Sequence, residues 1–187
     1  MEIALLLLAI QGVIGAFDTI YYHEWRARLP AHIPTAAPEL RLHAGRDFLY
    51  AVLFGTLPWL AWNGLWVVGL GLVLTAEILL TARDFVVEIR VRAPLGDVYG
   101  GERVTHAIMG ILYGAMLAFL IPVMTEWWNQ PTGLAFAPPS IFEPLRWGLS
   151  VMAAGVFVSG VRDLYASFDL PWGGWPWKEK ASFPTRP

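Results

Sequence analysis

Long apolar segments fill most of this chain and constrain its fold more than any other feature. A helix needs about 20 mostly apolar residues to cross a bilayer, and only 15% of the 187 residues are charged. The pattern predicts an all-α protein with one transmembrane domain of five helices, over about residues 3–22, 42–62, 65–87, 104–125 and 145–168. Residues 169–187 are predicted to form an interfacial tail rich in tryptophan.

Basic residues predict the orientation in the membrane. In a five-helix topology most of them fall on one side, and the positive-inside rule places that side in the cytoplasm. These residues are Arg26, Arg28, Arg41, Arg90, Arg92, Arg103, Lys178 and Lys180. We therefore expect a multi-pass protein of a bacterial-type inner (cytoplasmic) membrane, with the N-terminus outside and the C-terminus in the cytoplasm.

Charge and cysteine content exclude several classes of protein. The net charge of -2 argues against a nucleic-acid partner. The chain has no cysteine, which excludes disulfides, thiolate zinc sites and iron–sulfur clusters. Membrane lipids and a lipid-soluble substrate are the expected partners, and the sequence leaves the oligomeric state open.

A polar pattern occurs twice, at matching places in two pairs of predicted helices. Its core reads Glu-x3-His-Ala-x5-Tyr, and an Asp stands in the helix before each copy. The five matched pairs are Gln11 and Glu77, Asp18 and Asp84, Glu39 and Glu102, His43 and His106, and Tyr50 and Tyr113. The repetition predicts that four of the five helices form an antiparallel bundle with a pseudo-two-fold axis along the membrane normal.

The repeated acids and histidines predict a metal site. Alternating helix directions bring them to the same side of the membrane, where ionisable groups are costly and usually functional. Four carboxylates so close together need cations to balance them, and two divalent metal ions would do so. The predicted ligands are Asp18, Glu39, His43, Asp84, Glu102 and His106. Carboxylate and imidazole ligands suit iron, which we favour, and also manganese or zinc.

This ligand count resembles that of the di-iron and di-manganese carboxylate helix bundles. In those proteins two helices give one carboxylate each, and two others give Glu-x-x-His. Here the Glu–His spacing is i, i+4, and the single acids are Asp18 and Asp84. The resemblance implies a di-metal oxidoreductase acting on a lipidic or isoprenoid substrate. The sequence has no nucleotide-binding motif, so its electrons would come from a donor protein or a quinone.

Other polar residues are predicted to support this site. Tyr50 and Tyr113, about two turns deeper in the membrane, are expected to line the substrate pocket or to carry a hydrogen bond or radical. Glu77 is a further catalytic candidate. Residues expected to surround and orient the ligands are Arg46, Asp47, His23 and Glu88. Helical spacing predicts that His23 faces away from Asp18.

Four alternatives fit the same residues. The chain could be a metal-free membrane isomerase that uses acid–base chemistry, or it could bind a b-type haem between His43 and His106. It could be a proton-relay subunit with Glu77 as the titrating group. The acids could also form structural ion pairs, such as Asp18 with Arg46 or Asp84 with Arg162.

Overall fold

The computed structural model describes residues 1–177. Lys178, Lys180 and the rest of the predicted tail lie outside the described residues. The described chain is mostly helical, with two short strands. The helices are α1 (Glu2–Phe17), α2 (Ala37–Thr56), α3 (Trp66–Arg92), α4 (Gly100–Trp128) and α5 (Glu143–Ser167), and the strands are β1 (Leu60–Asn63) and β2 (Gly133–Phe136).

Within residues 1–177, three helical stretches are long and apolar enough to cross a membrane. They are Glu2–Ala31, Gly100–Trp128 and Glu143–Ser167. Large apolar side chains on all three are exposed, including Ile20, Ile111 and Val151. These features indicate membrane association, because a soluble protein rarely exposes so much apolar surface. The charged side chains of α2 lie between residues 39 and 47, and those of α3 lie between residues 77 and 92.

The second predicted span is displaced toward the N-terminus. It was predicted over about residues 42–62, but α2 begins at Ala37 and ends at Thr56, because Pro58 has no N–H to continue the helical hydrogen bonds. Strand β1 follows and pairs antiparallel with β2. Gly64 follows β1 in a turn with φ +57, and a Cβ there would lie 2.4 Å from the hydroxyl oxygen of Thr132. Only glycine fits this turn.

The helices enclose two different interiors. Near the β1–β2 sheet the interior is apolar, and every helix contributes a fully buried side chain. These include Leu5 and Leu8 of α1, Leu53 of α2, Leu70 of α3, Leu120 of α4 and Leu149 of α5. At the opposite end, where α1 and α3 finish and α2 and α4 begin, the interior is polar. We call this the cluster end. Helix α1 packs against α4, and α2 packs against α3 and α5.

Helix α1 continues beyond Phe17 as a π-helix over Asp18–Arg26. The backbone N–H of Ala27 donates to the carbonyl of Tyr22, five residues earlier. Residues five apart are about 140° apart around an α-helix with 3.6 residues per turn. The wider π turn brings them closer to one face. The π-helix therefore decides which side chains of residues 18–26 point toward the cluster end.

Candidate metal centre

The structure brings all six predicted metal ligands together at the cluster end. Each of them is buried, with at most 8% of its surface exposed: Asp18, Glu39, His43, Asp84, Glu102 and His106. They come from four different helical segments, so no single helix builds the site. Buried ionisable groups need partners or bound cations, and the contacts below show which partners they have.

Two aspartate–histidine pairs lie at the centre of the cluster. His106 Nε2 lies 3.1 Å from Asp18 Oδ2, and His43 Nε2 lies 3.3 Å from Asp84 Oδ2. Each pair joins one copy of the sequence repeat to the other. The matched residues of the repeat therefore make matched contacts, which is how two copies of one motif can build one site.

His23 also belongs to this cluster, and the prediction that it faces away from Asp18 is wrong. Its Nε2 lies 3.3 Å from Asp18 Oδ2 and 3.2 Å from Glu102 Oε1. Its ring stacks on the ring of His43, with the centroids 4.6 Å apart. The prediction assumed an α-helix, whereas the π-helix turns His23 toward Asp18. His23 is thus a candidate ligand.

Two overlapping groups of side chains could hold metal ions. One consists of Asp18, His23 and His106, and the other of His23, Glu39 and His43. The ligand atoms of each group lie within 4.8 Å of one another. Metal bonds to nitrogen and oxygen are about 2.0–2.2 Å long, so two ligands at a right angle lie about 3 Å apart. The ligand atoms of each group could therefore converge on one ion after small side-chain movements, and His23 is shared by the two groups.

Arg92 is the main residue of the site that the sequence interpretation missed. It was assigned to the cytoplasmic surface, yet its side chain is fully buried. Its guanidinium donates to Glu39, with Nε 2.8 Å from Oε1, and to Glu102, with Nη2 2.9 Å from Oε1. Both carboxylates are predicted metal ligands. Arg92 therefore positions both carboxylates, and a bound cation would share these carboxylates with Arg92.

The helical periodicity of α3 could have predicted that Arg92 lies on the same face as the buried acids. Glu77, Thr81, Asp84 and Glu88 occur at helical spacing on one face, and Arg92 follows Glu88 by four residues, so it continues that face. Glu88 is itself buried, with Oε2 3.8 Å from Nδ1 of His106. Its predicted place beside the ligands agrees with this contact.

Arg46 links the cluster to Glu77, deeper in the protein. Its Nη1 donates to Asp84 Oδ2 at 3.1 Å, and its Nε lies 3.6 Å from Glu77 Oε1. The ion pair considered between Arg46 and Asp18 is not formed. Arg162, considered as a partner of Asp84, instead contacts Glu24. Arg46 therefore contacts Asp84 beside His43, and its role in orienting a metal ligand stays a prediction.

A hydrogen-bonded chain extends from Glu77. Tyr50 donates to Glu77 Oε1 at 3.0 Å, Thr81 donates to the same oxygen at 2.7 Å, and Gln11 donates through Nε2 to Tyr50. Tyr113 donates elsewhere, to the carbonyl of Leu74 at 3.2 Å. The structure thus joins two of the three predicted catalytic residues, Tyr50 and Glu77, by a direct hydrogen bond.

Two aspartates on the side facing α5 complete the surroundings. Asp163 is buried, with Oδ2 3.9 Å from Nδ1 of His43. Asp47 lines a cavity next to the cluster and contributes to neither candidate metal group. Asp47 therefore lies beside this cavity, which His23 and His43 also line, and outside both groups of candidate ligands.

The fold and the site define a helical, membrane-associated protein with buried histidine and carboxylate groups that could hold metal ions. No protein family, curated protein or solved structure matches the chain.

Proposed function

We propose that this chain is an integral membrane metalloprotein with a dinuclear site, and that it acts as an oxidoreductase on a lipid-soluble substrate. The observation that carries the proposal is the convergence of His23, His43 and His106 with buried carboxylates in two overlapping groups. Oxygen and nitrogen ligands of this kind suit iron, manganese or zinc. Iron is favoured because it supplies redox chemistry that zinc lacks.

The charge of the cluster supports two metal ions. Seven buried carboxylates lie there or in the adjoining hydrogen-bonded network: Asp18, Glu39, Glu77, Asp84, Glu88, Glu102 and Asp163. Three guanidinium groups contact them, those of Arg46, Arg92 and Arg162. In their ionised forms these ten groups carry four net negative charges, and burying that charge without cations is costly. Two divalent ions would balance it.

The proposal includes a topology in which all five helices cross the membrane. Helices α1 to α4 would form a bundle with a pseudo-two-fold axis that relates α1 and α2 to α3 and α4. The contacts of Asp18 with His106 and of Asp84 with His43 support this axis, because the repeat exchanges the two pairs. The cluster end would face the cytoplasm of a bacterial-type inner membrane, where a donor protein or a quinone could supply electrons.

Metal analysis of the purified protein tests this function. The chain would be expressed with iron, manganese and zinc in the medium, purified in detergent without chelator, and analysed for metals and for its visible spectrum. We expect about two metal ions per chain and no haem band. Protein that holds no metal after anaerobic purification, and that takes up none when metals are added back, would refute the metalloprotein.

One observation favours a second candidate, a metal-free enzyme that uses acid–base chemistry. Arg92 already bonds to Glu39 and Glu102, so part of the acidic charge is balanced within the protein. Such an enzyme would hold no metal and would move protons through the aspartate–histidine pairs. The haem alternative is not favoured, because the ring of His23 stacks on His43 and lies 6.3 Å from the ring of His106.

A further inference from the structure

A cavity of about 380 Å³ adjoins the polar cluster between α1, α2 and α5. His23 and His43 line it at the cluster end, and Phe54 and Met152 line it deeper in the apolar interior. This volume falls within the range of small-molecule sites in proteins. The cavity therefore offers an apolar space that begins directly at the candidate metal ligands.

The cavity opens sideways between α1 and α5. Ala16 of α1 and Gly155 of α5 both line it, and both are exposed on the outer surface of the protein. A Cβ added to Gly155 would meet no atom within 4 Å. In a membrane this gap faces the lipid, so a lipid-soluble molecule could enter without passing through water.

Gln11 gives the cavity one defined polar contact. Its side chain lines the cavity and is 5% exposed. Its amide nitrogen donates to Tyr50, which donates to Glu77. Because Tyr50 gives its single proton to Glu77, the Tyr50 oxygen can only accept from the amide nitrogen of Gln11. Among residues 1–177, the side-chain oxygen of Gln11 has no hydrogen-bond donor, and a buried acceptor left in this state is costly.

We propose that the cavity binds a lipid-soluble molecule that bears a hydroxyl group, and that this hydroxyl donates to Oε1 of Gln11. Seven residues separate Gln11 from Asp18, which is about 10 Å along a helix. The hydroxyl would anchor one part of the molecule while another part lies beside His23 and His43. The inference names the substrate class for the function proposed above and rests on that function for the chemistry, although the binding itself requires no metal.

The same geometry selects against two related molecules. A carboxylate has no proton to give to Gln11, so a fatty acid would leave this acceptor unpaired, and of the charged residues that line the cavity Asp47 and Asp163 outnumber Arg46. An alkane of equal length would fill the apolar space but leave Gln11 unpaired. One buried hydrogen bond of ordinary strength corresponds to about tenfold tighter binding of the alcohol than of the alkane.

Photocrosslinking of the metal-free protein tests the proposal. The probe is a twelve-carbon primary alcohol that carries a diazirine, and the competitors are dodecanol, dodecane and dodecanoic acid. We expect labelling within residues 11–20 and 152–159, with dodecanol competing at about one tenth of the dodecane concentration. If a prenyl-tailed quinol competes better than dodecanol, the result would support the site and identify the hydroxyl-bearing molecule as a quinol. Equal competition by dodecane and dodecanol would overturn the proposal.

Three variants sharpen this experiment. Gln11→Leu should leave labelling in place and remove the advantage of dodecanol over dodecane. Gly155→Phe should block labelling by narrowing the opening. Gly148→Phe is its matched control, because Gly148 lies on the same helix, has equally open space around an added Cβ, and does not line the cavity. Labelling unchanged by Gly155→Phe would refute the entry route and the cavity assignment.

The two proposals can fail separately, because the crosslinking is done without metal. Selective labelling by the alcohol in a protein that never binds metal would refute the dinuclear oxidoreductase and leave the substrate class standing. Metal binding without selective labelling would refute the hydroxyl-bearing substrate class and leave the dinuclear site standing.

Discussion

Asp18 on α1 lies 3.1 Å from His106 on α4, although 88 residues separate them in the chain. The corresponding residues of the repeat, Asp84 and His43, lie 3.3 Å apart. Each contact joins the two halves of the repeat, so neither half can form an aspartate–histidine pair alone. Divergence of either copy would therefore disturb both aspartate–histidine pairs at once.

Loss of any clustered histidine should reduce metal binding. His23→Ala, His43→Ala and His106→Ala each remove an imidazole from one or both candidate groups. We expect each variant to retain no more than half of the wild-type metal content, and His23→Ala to lose the most because both groups use it. The measurement is metal content per chain in purified protein with an unchanged elution profile.

The control for this series is His32→Ala, since His32 is exposed in the connection between α1 and α2. It should keep the full metal content. If the three clustered variants bind as much metal as His32→Ala, the ligand assignment is wrong.

Removal of Arg92 should destabilise the protein strongly. Arg92→Met leaves Glu39 and Glu102 buried without their shared partner, and breaking such a buried pair costs about 3–5 kcal/mol. The free energy of unfolding would be measured in mixed detergent with chelator present, so that metal cannot replace the guanidinium. Adding Glu39→Gln and Glu102→Gln to the same variant should restore part of the loss.

Arg90→Met provides the matched control, because Arg90 is exposed on the same helix. A surface substitution of this kind usually changes stability by less than about 0.5 kcal/mol. Equal stability of Arg92→Met and Arg90→Met would show that the buried double contact contributes nothing measurable.

Tyr50 should matter more to stability than Tyr113. Tyr50→Phe removes the donor to Glu77 and leaves the amide of Gln11 without its acceptor, which should cost about 1–3 kcal/mol. Tyr113→Phe removes one hydrogen bond to a backbone carbonyl and should cost about 0.5–1.5 kcal/mol.

Combining Tyr50→Phe with Glu77→Gln tests whether the two residues interact directly. Their effects on the free energy of unfolding should be non-additive by at least about 0.5 kcal/mol. Additive effects would contradict the hydrogen bond between them.

Single introduced cysteines can establish the topology, because the chain has none of its own. Thr35, Leu65, Asp97 and Asn129 are exposed in four successive connections between helices. Five crossings predict that cysteines at 35 and 97 react with an impermeant thiol reagent only after the membrane is opened. Those at 65 and 129 should react in intact cells.

Position 65 decides between two arrangements. If only the three apolar stretches cross the membrane, residue 65 lies on the same side as residues 35 and 97. Protection of a cysteine at 65 in intact cells, with 129 still labelled, would refute the five-span topology.

Much of the candidate site could be predicted because it depends on repetition and helix direction. Asp18, Glu39 and His106 were placed at the same end of the helices by the alternation of the predicted spans, and the contacts there agree. The exact partners of each residue did not follow, because side-chain contacts between helices depend on how the helices rotate and pack.

The amino-acid sequence by itself determined the helical, membrane-like character of this protein and the set of acids and histidines that share one end. It did so because length, hydropathy and helical period are local properties of the chain. Only the tertiary structure decided that His23 joins the ligands and that Arg92 bonds to Glu39 and Glu102. The position of His23 depends on a π-helix where an α-helix was expected. The contacts of Arg92 depend on packing between helices, which buries its side chain.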